Sequence, residues 1–265
     1  MDFNFRTLNY LGSKLRLLDF IEEYIRRITP ENGSVCDLFA GSGCVSYRLS
    51  RYFNVISCDI QAYSNVICNA LLNNHDIVEN DVNSFIFSIK NKSSKLKESF
   101  LPLILTEYNA IKNKDIKTLA EILEHGSVEV FRIESVQSSL SEIQEQVLRS
   151  LENNNLMHNP SIISRYYGGV YFSYEQAVDI DIIWNAIREI NDMTKKHLYL
   201  SALLSTVSDI VNTVGKHFAQ PIKAKDSKGN IKALVYNKAI KDKTMQVLPL
   251  FEQWLKKYIL LPADS

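Results

Sequence analysis

Apolar and polar positions recur along this chain with two different periods, and the switch between them marks its elements. In "NYLGSKLRLLDFIEEYIRRI" the pattern becomes helical near Ser13, with Leu17, Ile21, Tyr24, Ile25 and Ile28 at helical spacing. Pro30, Asn32 and Gly33 end the run. "SVCDLFA" then reads as a buried strand, "CVSYRLSRYF" as a helix and "NVISCDI" as a second strand. That order predicts a parallel pair joined by a crossover helix, the building block of open α/β sheets.

"AYSNVICNALLNN" continues as a helix, after which the pattern loosens. Stretches such as "FLPLILTEYNAI" and "SLSEIQEQVLRSLENNN" are helical, polar and poor in strand signals, which predicts a helical insertion over 83–159. "RYYGGVYFSYEQAVDIDIIWNAIREI" turns at Gly168 and Gly169 and becomes a helix, and "KKHLYLSALLSTVSDIVN" predicts another. "AKDSKGNIKALV" holds a turn at Ser227 to Asn230 suited to an exposed hairpin. The expected division is a ligand-binding core over 1–82, the insertion, and the remainder of the core with a further lobe over 160–265.

A hydrophobic fraction of 46% and a charged fraction of 23% over 265 residues exclude a disordered or fibrous chain. No run of about 18 apolar residues exists and the N-terminus lacks an apolar signal core, so a cytoplasmic protein with no membrane partner is expected. Cys36, Cys44, Cys58 and Cys68 have no CxxC spacing, and buried reduced thiols are favoured over a metal site. Net charge is zero, yet the stretch from Gly215 to Tyr258 holds ten lysines against three acids. Such a split suggests a basic face toward a polyanion, with a plain solvated surface as the alternative.

The chemistry concentrates in "VCDLFAGSGCVSYRLSRYFNVISCDIQ". Gly41 and Gly43 suit a turn that a ligand can approach closely, and a helix start offers free N–H groups. A dinucleotide site would carry a third glycine where this chain has Ser46. Asp37 would repel a pyrophosphate and attract an amino group. S-adenosylmethionine, with an ammonium, a sulfonium and no phosphate, fits that sign. Asp59 lies 18 residues beyond Gly41, near the roughly 20 expected of an acid that hydrogen-bonds ribose hydroxyls. The competing reading is that both acids only cap loops.

"DLFAGSG" with "CDI" resembles the adenosylmethionine-binding motifs of DNA methyltransferases. "NYLGSKLRLLDFI" resembles the cofactor-contacting motif that precedes them in the Dam-like D12 class of adenine-N6 DNA methyltransferases. "RYYGGVYFSYEQAVDID" and "NTVGKHFAQPIKAKDSKGNIK" resemble segments lying, in one bacterial branch, between the cofactor motifs and the catalytic motif. The resemblance implies a partial Rossmann-like methyltransferase sheet with a helical insertion and a C-terminal basic DNA-recognition lobe. It implies a cofactor pocket lined by Tyr10, Gly12, Lys14, Asp37, Phe39, Ala40, Gly41, Ser42, Gly43, Asp59 and Ile60, with Phe39 and Ile60 as apolar walls. Lys216, His217, Lys223, Lys225 and Lys228 would face the phosphates of double-stranded DNA, positioning the backbone rather than reading sequence. Arg165, Tyr166 and Tyr167 are further candidates for DNA contact, against the alternative that the tyrosines are half core and half surface.

Adenine-N6 transfer requires a base flipped out of the duplex. The family holds that base with Asp-Pro-Pro-Tyr, which this sequence lacks. The nearest strings are "HNPSI", at Asn159 and Pro160, and the terminal "PADS". No catalytic residue is therefore assigned. A split enzyme of a restriction-modification system is expected, with Asp-Pro-Pro-Tyr on a second methyltransferase subunit. The alternatives are a truncated gene, a non-catalytic cofactor- or DNA-binding regulator, and a methyltransferase for RNA or small molecules with another catalytic motif.

Overall fold

A turn of 3-10 helix, Lys14–Leu17, leads into α1 (Leu18–Ile28). The segment Pro30 to Gly33 then reverses the chain, with the Gly33 N–H donating to the Pro30 carbonyl at 2.9 Å. β1 (Ser34–Asp37), α2 (Cys44–Leu49) and β2 (Asn54–Ser57) follow. The strands pair in parallel with Val35 opposite Val55 and Cys36 opposite Ile56, as the strand-helix-strand pattern predicts. Further along are α3 (Ala62–Leu72), α4 (Glu79–Lys90), α5 (Lys95–Lys112), α6 (Ile116–His125) and α7 (Val128–Glu134). The remaining helices are α8 (Ser141–Asn153), α9 (Ile162–Tyr167), α10 (Tyr174–Arg188), α11 (Met193–Ile210), α12 (Ala233–Lys243) and α13 (Val247–Ile259). The computed structural model describes residues 5–9, 12–73, 75–90, 94–216 and 220–261, without the side chains of 233 and 234. The chain is thus a mixed α/β protein, mostly helical, with a small parallel sheet.

It divides into two compact units. The first comprises Met1–Phe87, Ile187–Asp209 and Leu250–Ser265; the second comprises Ser88–Ala186 and Ile210–Pro249. In the first unit Val35 and Val55 turn one sheet face toward Leu18, Val45, Leu49 and Phe53. The opposite face, with Cys36 and Ile56, is open, and Ile56 is 61% exposed. Parallel sheets are ordinarily covered on both faces. This corrects the expectation of buried thiols: Cys44 and Cys68 are buried, but Cys36 and Cys58 are exposed, and all four are free. The helical positions expected in α1 also split between two faces. Ile21 and Ile25 join Leu18 against the core, whereas Leu17, Tyr24 and Ile28 lie exposed beside Phe20.

The second unit is built on Phe100, Leu103, Ile122, Val128, Val147, Leu151 and Tyr174, contributed by α5, α6, α7, α8 and α10. The Tyr174 hydroxyl donates to the Gly126 carbonyl at 2.8 Å. Lys243, wholly buried, donates to Glu107 Oε1 at 2.7 Å and to the Gly169 carbonyl at 2.6 Å. The expected hairpin is present. Lys225 bridges Ile231, and Asp226 Oδ1 accepts from the N–H groups of Lys228 and Asn230 at 2.8 and 2.9 Å. The lysine-rich stretch is less uniformly basic in space than along the chain. Lys216 and Lys238 both reach Asp242, and Lys225 reaches Glu124 at 2.7 Å.

Candidate cofactor site at the first glycine turn

Beyond β1 the backbone ladder continues: the Cys58 N–H donates to the Asp37 carbonyl at 2.8 Å and the Ala40 N–H to the Cys58 carbonyl at 3.1 Å. These bonds bring the ends of both strands together, and with them Asp37 and Asp59. Gly41 and Gly43 both have positive φ, +53° and +72°, but for different reasons. A Cβ on Gly41 would meet nothing nearer than the Phe39 carbonyl at 4.0 Å, so the space before it is open. A Cβ on Gly43 would come within 2.9 Å of Leu71 Cδ1 and 3.3 Å of Cys68 Sγ. Close ligand approach thus suits Gly41, while Gly43 is needed so that the turn can pack on α3.

Asp59 holds this turn. Its Oδ2 accepts from the Gly41 N–H and its Oδ1 from the Gln61 N–H, each at 2.8 Å. The Gln61 and Gly41 amides keep its carboxyl below the ordinary carboxylate range. Each oxygen retains a lone pair for a further donor such as a ribose hydroxyl. Asp37 Oδ2 accepts from the Ser46 hydroxyl at 2.8 Å, which leaves Oδ1 for a cationic group. Lys14 Nζ donates to the Phe39 carbonyl at 3.1 Å and ties the segment before α1 to the turn. Phe39 and Ile60 are 78% and 96% exposed, apolar side chains beside two carboxylates. This donor set fits S-adenosylmethionine: one acid for the ammonium, one for the ribose, and apolar surface for the adenine.

Of the expected pocket residues, Lys14, Asp37, Phe39, Gly41 and Asp59 are thus joined around one turn. Ala40 and Ser42 are buried parts of that turn, and Gly12 adopts a φ of +86° in open surroundings. Tyr10 lies outside the described residues. Thr7 and Ser46 are additional contributors. The Thr7 hydroxyl donates to the Ser42 carbonyl at 3.0 Å, and Ser46 orients Asp37. Ser46 was visible in the sequence as the departure from a third glycine; its bond to the strand-end acid gives that departure a role. Among the DNA candidates, Lys223 and Lys228 are exposed, Lys216 and Lys225 are ion-paired, and His217 lies outside the described residues. Arg165 is buried against Glu129 at 2.6 Å, while Tyr166 and Tyr167 are half-exposed.

A parallel strand pair with an acid at the end of each strand and a glycine turn between them is the arrangement of a candidate nucleotide-type cofactor site in an α/β protein. The family model described as D12 class N6 adenine-specific DNA methyltransferase matches residues 10–163, more than half of the chain, and the chain belongs to that family. S-adenosylmethionine is the methyl donor of this class. The chain is also similar to three curated proteins. It is 36% identical over 69 residues to modification methylase LlaI of Lactococcus lactis subsp. lactis, a match covering 26% of this chain and 11% of that protein. It is 41% identical over 66 residues to type II methyltransferase M.CviAII of Paramecium bursaria Chlorella virus 1, covering 24% of this chain and 20% of the relative. A third match, 32% over 71 residues, is to type II methyltransferase M.FokI of Planomicrobium okeanokoites, covering 26% and 11%. The matched stretch therefore spans a fifth or less of each curated relative. No solved structure matches the chain.

Proposed function

We propose that this chain is the S-adenosylmethionine-binding part of a site-specific DNA adenine-N6 methyltransferase of the restriction-modification kind, working in the cytoplasm with a second subunit that carries Asp-Pro-Pro-Tyr. The observation that carries the reading is the turn at Gly41, where Asp37 and Asp59 leave free acceptor sites beside exposed Phe39 and Ile60. The printed names of the relatives, a modification methylase and type II methyltransferases, support the class of reaction.

The partner is supported by what the sheet leaves open. Among the described residues β1 pairs only with β2. In doubly wound Rossmann-like sheets the first strand is flanked by the second on one side and the fourth on the other. A strand delivering the catalytic tetrad beside β1 would fill that edge, and its helices would cover Cys36 and Ile56. The exposed Leu17, with Phe20, Tyr24 and Ile28 of α1, offers further apolar surface to the same subunit. The second unit is the DNA-recognition lobe in this reading, with Lys223 and Lys228 facing phosphates and Lys216 and Lys225 bracing the hairpin through their acidic partners.

Calorimetric titration of the purified chain with S-adenosylmethionine tests the pocket. Transfer of labelled methyl groups to duplex DNA, with and without the co-expressed product of the neighbouring reading frame, tests the division of labour. Binding without transfer by the chain alone, and transfer once the partner is added, is the expected result. Absence of binding would refute the pocket, and robust turnover by the single chain would refute the partner.

A further inference from the structure

A groove of about 770 Å³ runs along α5, with the start of α10 and residues 243–249 as its far wall, all within the second unit. Leu101, Leu105 and Tyr108 line it from α5, spaced to share one helical face, and they are 45%, 49% and 57% exposed. A contiguous apolar stripe rimmed by polar groups marks an interaction surface.

Charge is distributed unevenly along the groove. Glu107 and Lys243 pair with each other out of solvent and cancel. Near the start of α5, Lys97 meets Glu175 at 2.8 Å and Asp179 at 4.0 Å, and Lys90 and Glu98 line the adjoining hollow. Two cations against three acids leave that end with one negative charge in excess. Asp179 accepts no hydrogen bond among the described residues, and burial pushes its carboxyl up to about 6, so at neutral pH it is ionised but poorly served. At the other end Lys112 lies 5.9 Å from the centre of the Tyr108 ring, with no acidic partner among the described residues. Lys97 and Lys112 stand 15 residues apart on α5, about 22 Å at the helical rise.

This stripe is its own complement. Lys97 stands four residues before Leu101 and Lys112 four residues after Tyr108, so the spacing reads alike from both ends while the excess charge changes sign. A two-fold interface demands such a surface, because a residue i of one copy meets j of the other and j meets i. Two α5 helices running antiparallel about an axis near Leu105 would set Leu101 of each copy against Tyr108 of the other, and Lys112 of each against the acidic end of the other's groove. A small ligand would fill one end only, leaving the opposite charge and part of the stripe uncovered.

We propose that the groove along α5 is a self-association face, occupied by α5 of a second copy of this chain in an antiparallel two-fold arrangement, with Lys112 of each copy paired to Asp179 of the other. The face lies away from the cofactor turn in sequence and chemistry, and the pairing depends on neither the cofactor reading nor the methyltransferase reading.

Sedimentation velocity of the full purified chain, without cofactor, DNA or a second subunit, tests it directly. The mass should rise with concentration toward twice the 30.4 kDa of one chain. Leu105→Glu places like charges across the axis, and Lys112→Glu sets an acid against the acidic end. Each should raise the dimer dissociation constant by roughly tenfold or more, because like charges juxtaposed across an interface are strongly unfavourable. Adding Asp179→Lys to Lys112→Glu restores opposite charges at both ends and should recover the dimer. Leu105 and Lys112 are exposed, so the single variants should unfold at the wild-type temperature when measured at low concentration. A wild-type chain that stays monomeric at every concentration, which would leave the groove to some other partner, overturns the proposal, as does a dimer that either single substitution leaves intact. A well-folded double variant that stays monomeric also overturns it. Should the double variant fold poorly, the wild-type mass and the two single variants decide.

Discussion

The turn at Gly41 and the loop from Gly168 to Phe172 are both held by side chains bonded to their backbone, but those side chains come from different distances along the chain. Asp59 reaches Gly41 across 18 residues, Lys14 reaches Phe39 across 25, and both side chains lie at or near solvent. Lys243 reaches Gly169 across 74 residues and Phe172 across 71, and it is wholly buried. Its counter-ion Glu107 lies 136 residues away and also accepts from the Tyr174 N–H at 2.7 Å. The first arrangement leaves acceptor sites open to a ligand. The second turns its contacts inward to fix a loop in place, so the two differ in what they leave exposed.

The comparison breaks most readily at Lys243. Lys243→Met strands the Glu107 carboxylate in the interior, and removing one partner of a buried pair costs about 3–5 kcal/mol. Urea unfolding should show this loss, and adding Glu107→Gln should recover part of it. A loss within about 0.5 kcal/mol, typical of surface substitutions, would mean that the pair holds nothing.

Asp59→Ala should act on binding. S-adenosylmethionine affinity should fall by roughly tenfold or more, because hydrogen bonds to a charged acceptor disappear. Calorimetry measures the loss, and equal affinities would place Asp59 outside the pocket.

Acid should also act differently on the two regions. The folded-state pKa of Asp59 is depressed by the Gln61 and Gly41 amides, so its contribution is present above the unfolded value of 3.8 and is lost as pH falls through the lower folded value. Asp179 and Asp181, in the second unit, are pushed up by burial to about 6. Between 3.8 and about 6 the folded form binds more protons at these two sites than the unfolded form, so their contribution to stability falls as pH rises through that window and then levels off. Asp179→Asn with Asp181→Asn should flatten that part of the urea midpoint profile, and an unchanged profile would refute the assignment.

The smallest effect concerns the lysines. Lys223→Ala with Lys228→Ala should reduce the slope of log affinity for DNA against log salt by roughly 2, at about 0.9 per phosphate contact. Lys216→Ala with Lys225→Ala should change it less, since Asp242 and Glu124 already neutralise them. Titration of duplex DNA with the assembled enzyme at several salt concentrations distinguishes the two pairs, and equal slopes would remove the distinction.

The turn at Gly41 was legible because its determinants are local. Strand, helix and strand follow within a few dozen residues, and Asp37 and Asp59 stand where their spacing puts them. Misreadings arose where a side chain's fate depends on distant residues. Cys36 belongs to a strand, but whether it is buried depends on what covers the sheet. Leu17, Tyr24 and Ile28 share the helical period of Ile21 and Ile25 yet lie exposed, because periodicity locates apolar arcs without saying what covers them. The basic count after Gly215 omitted Glu121 and Glu124, which sit about a hundred residues earlier and pair with Lys225. Arg165 pairs with Glu129, 36 residues away in the sequence, a partner that its own segment does not announce.

The separation of Glu107 from Lys243 also has a consequence for synthesis on the ribosome. β1 and β2 can pair once residues up to Ser57 have emerged, and the turn at Gly41 closes soon after, when Asp59 and Gln61 follow. Glu107 must wait for a cation 136 residues downstream. At translation rates of about 5–20 residues per second, this delay lasts roughly 7–27 seconds. During that interval the nascent helical unit carries an acid without its counter-ion and a tyrosine loop without its anchor. The unit can therefore lock only once Lys243, at the end of α12, has been made.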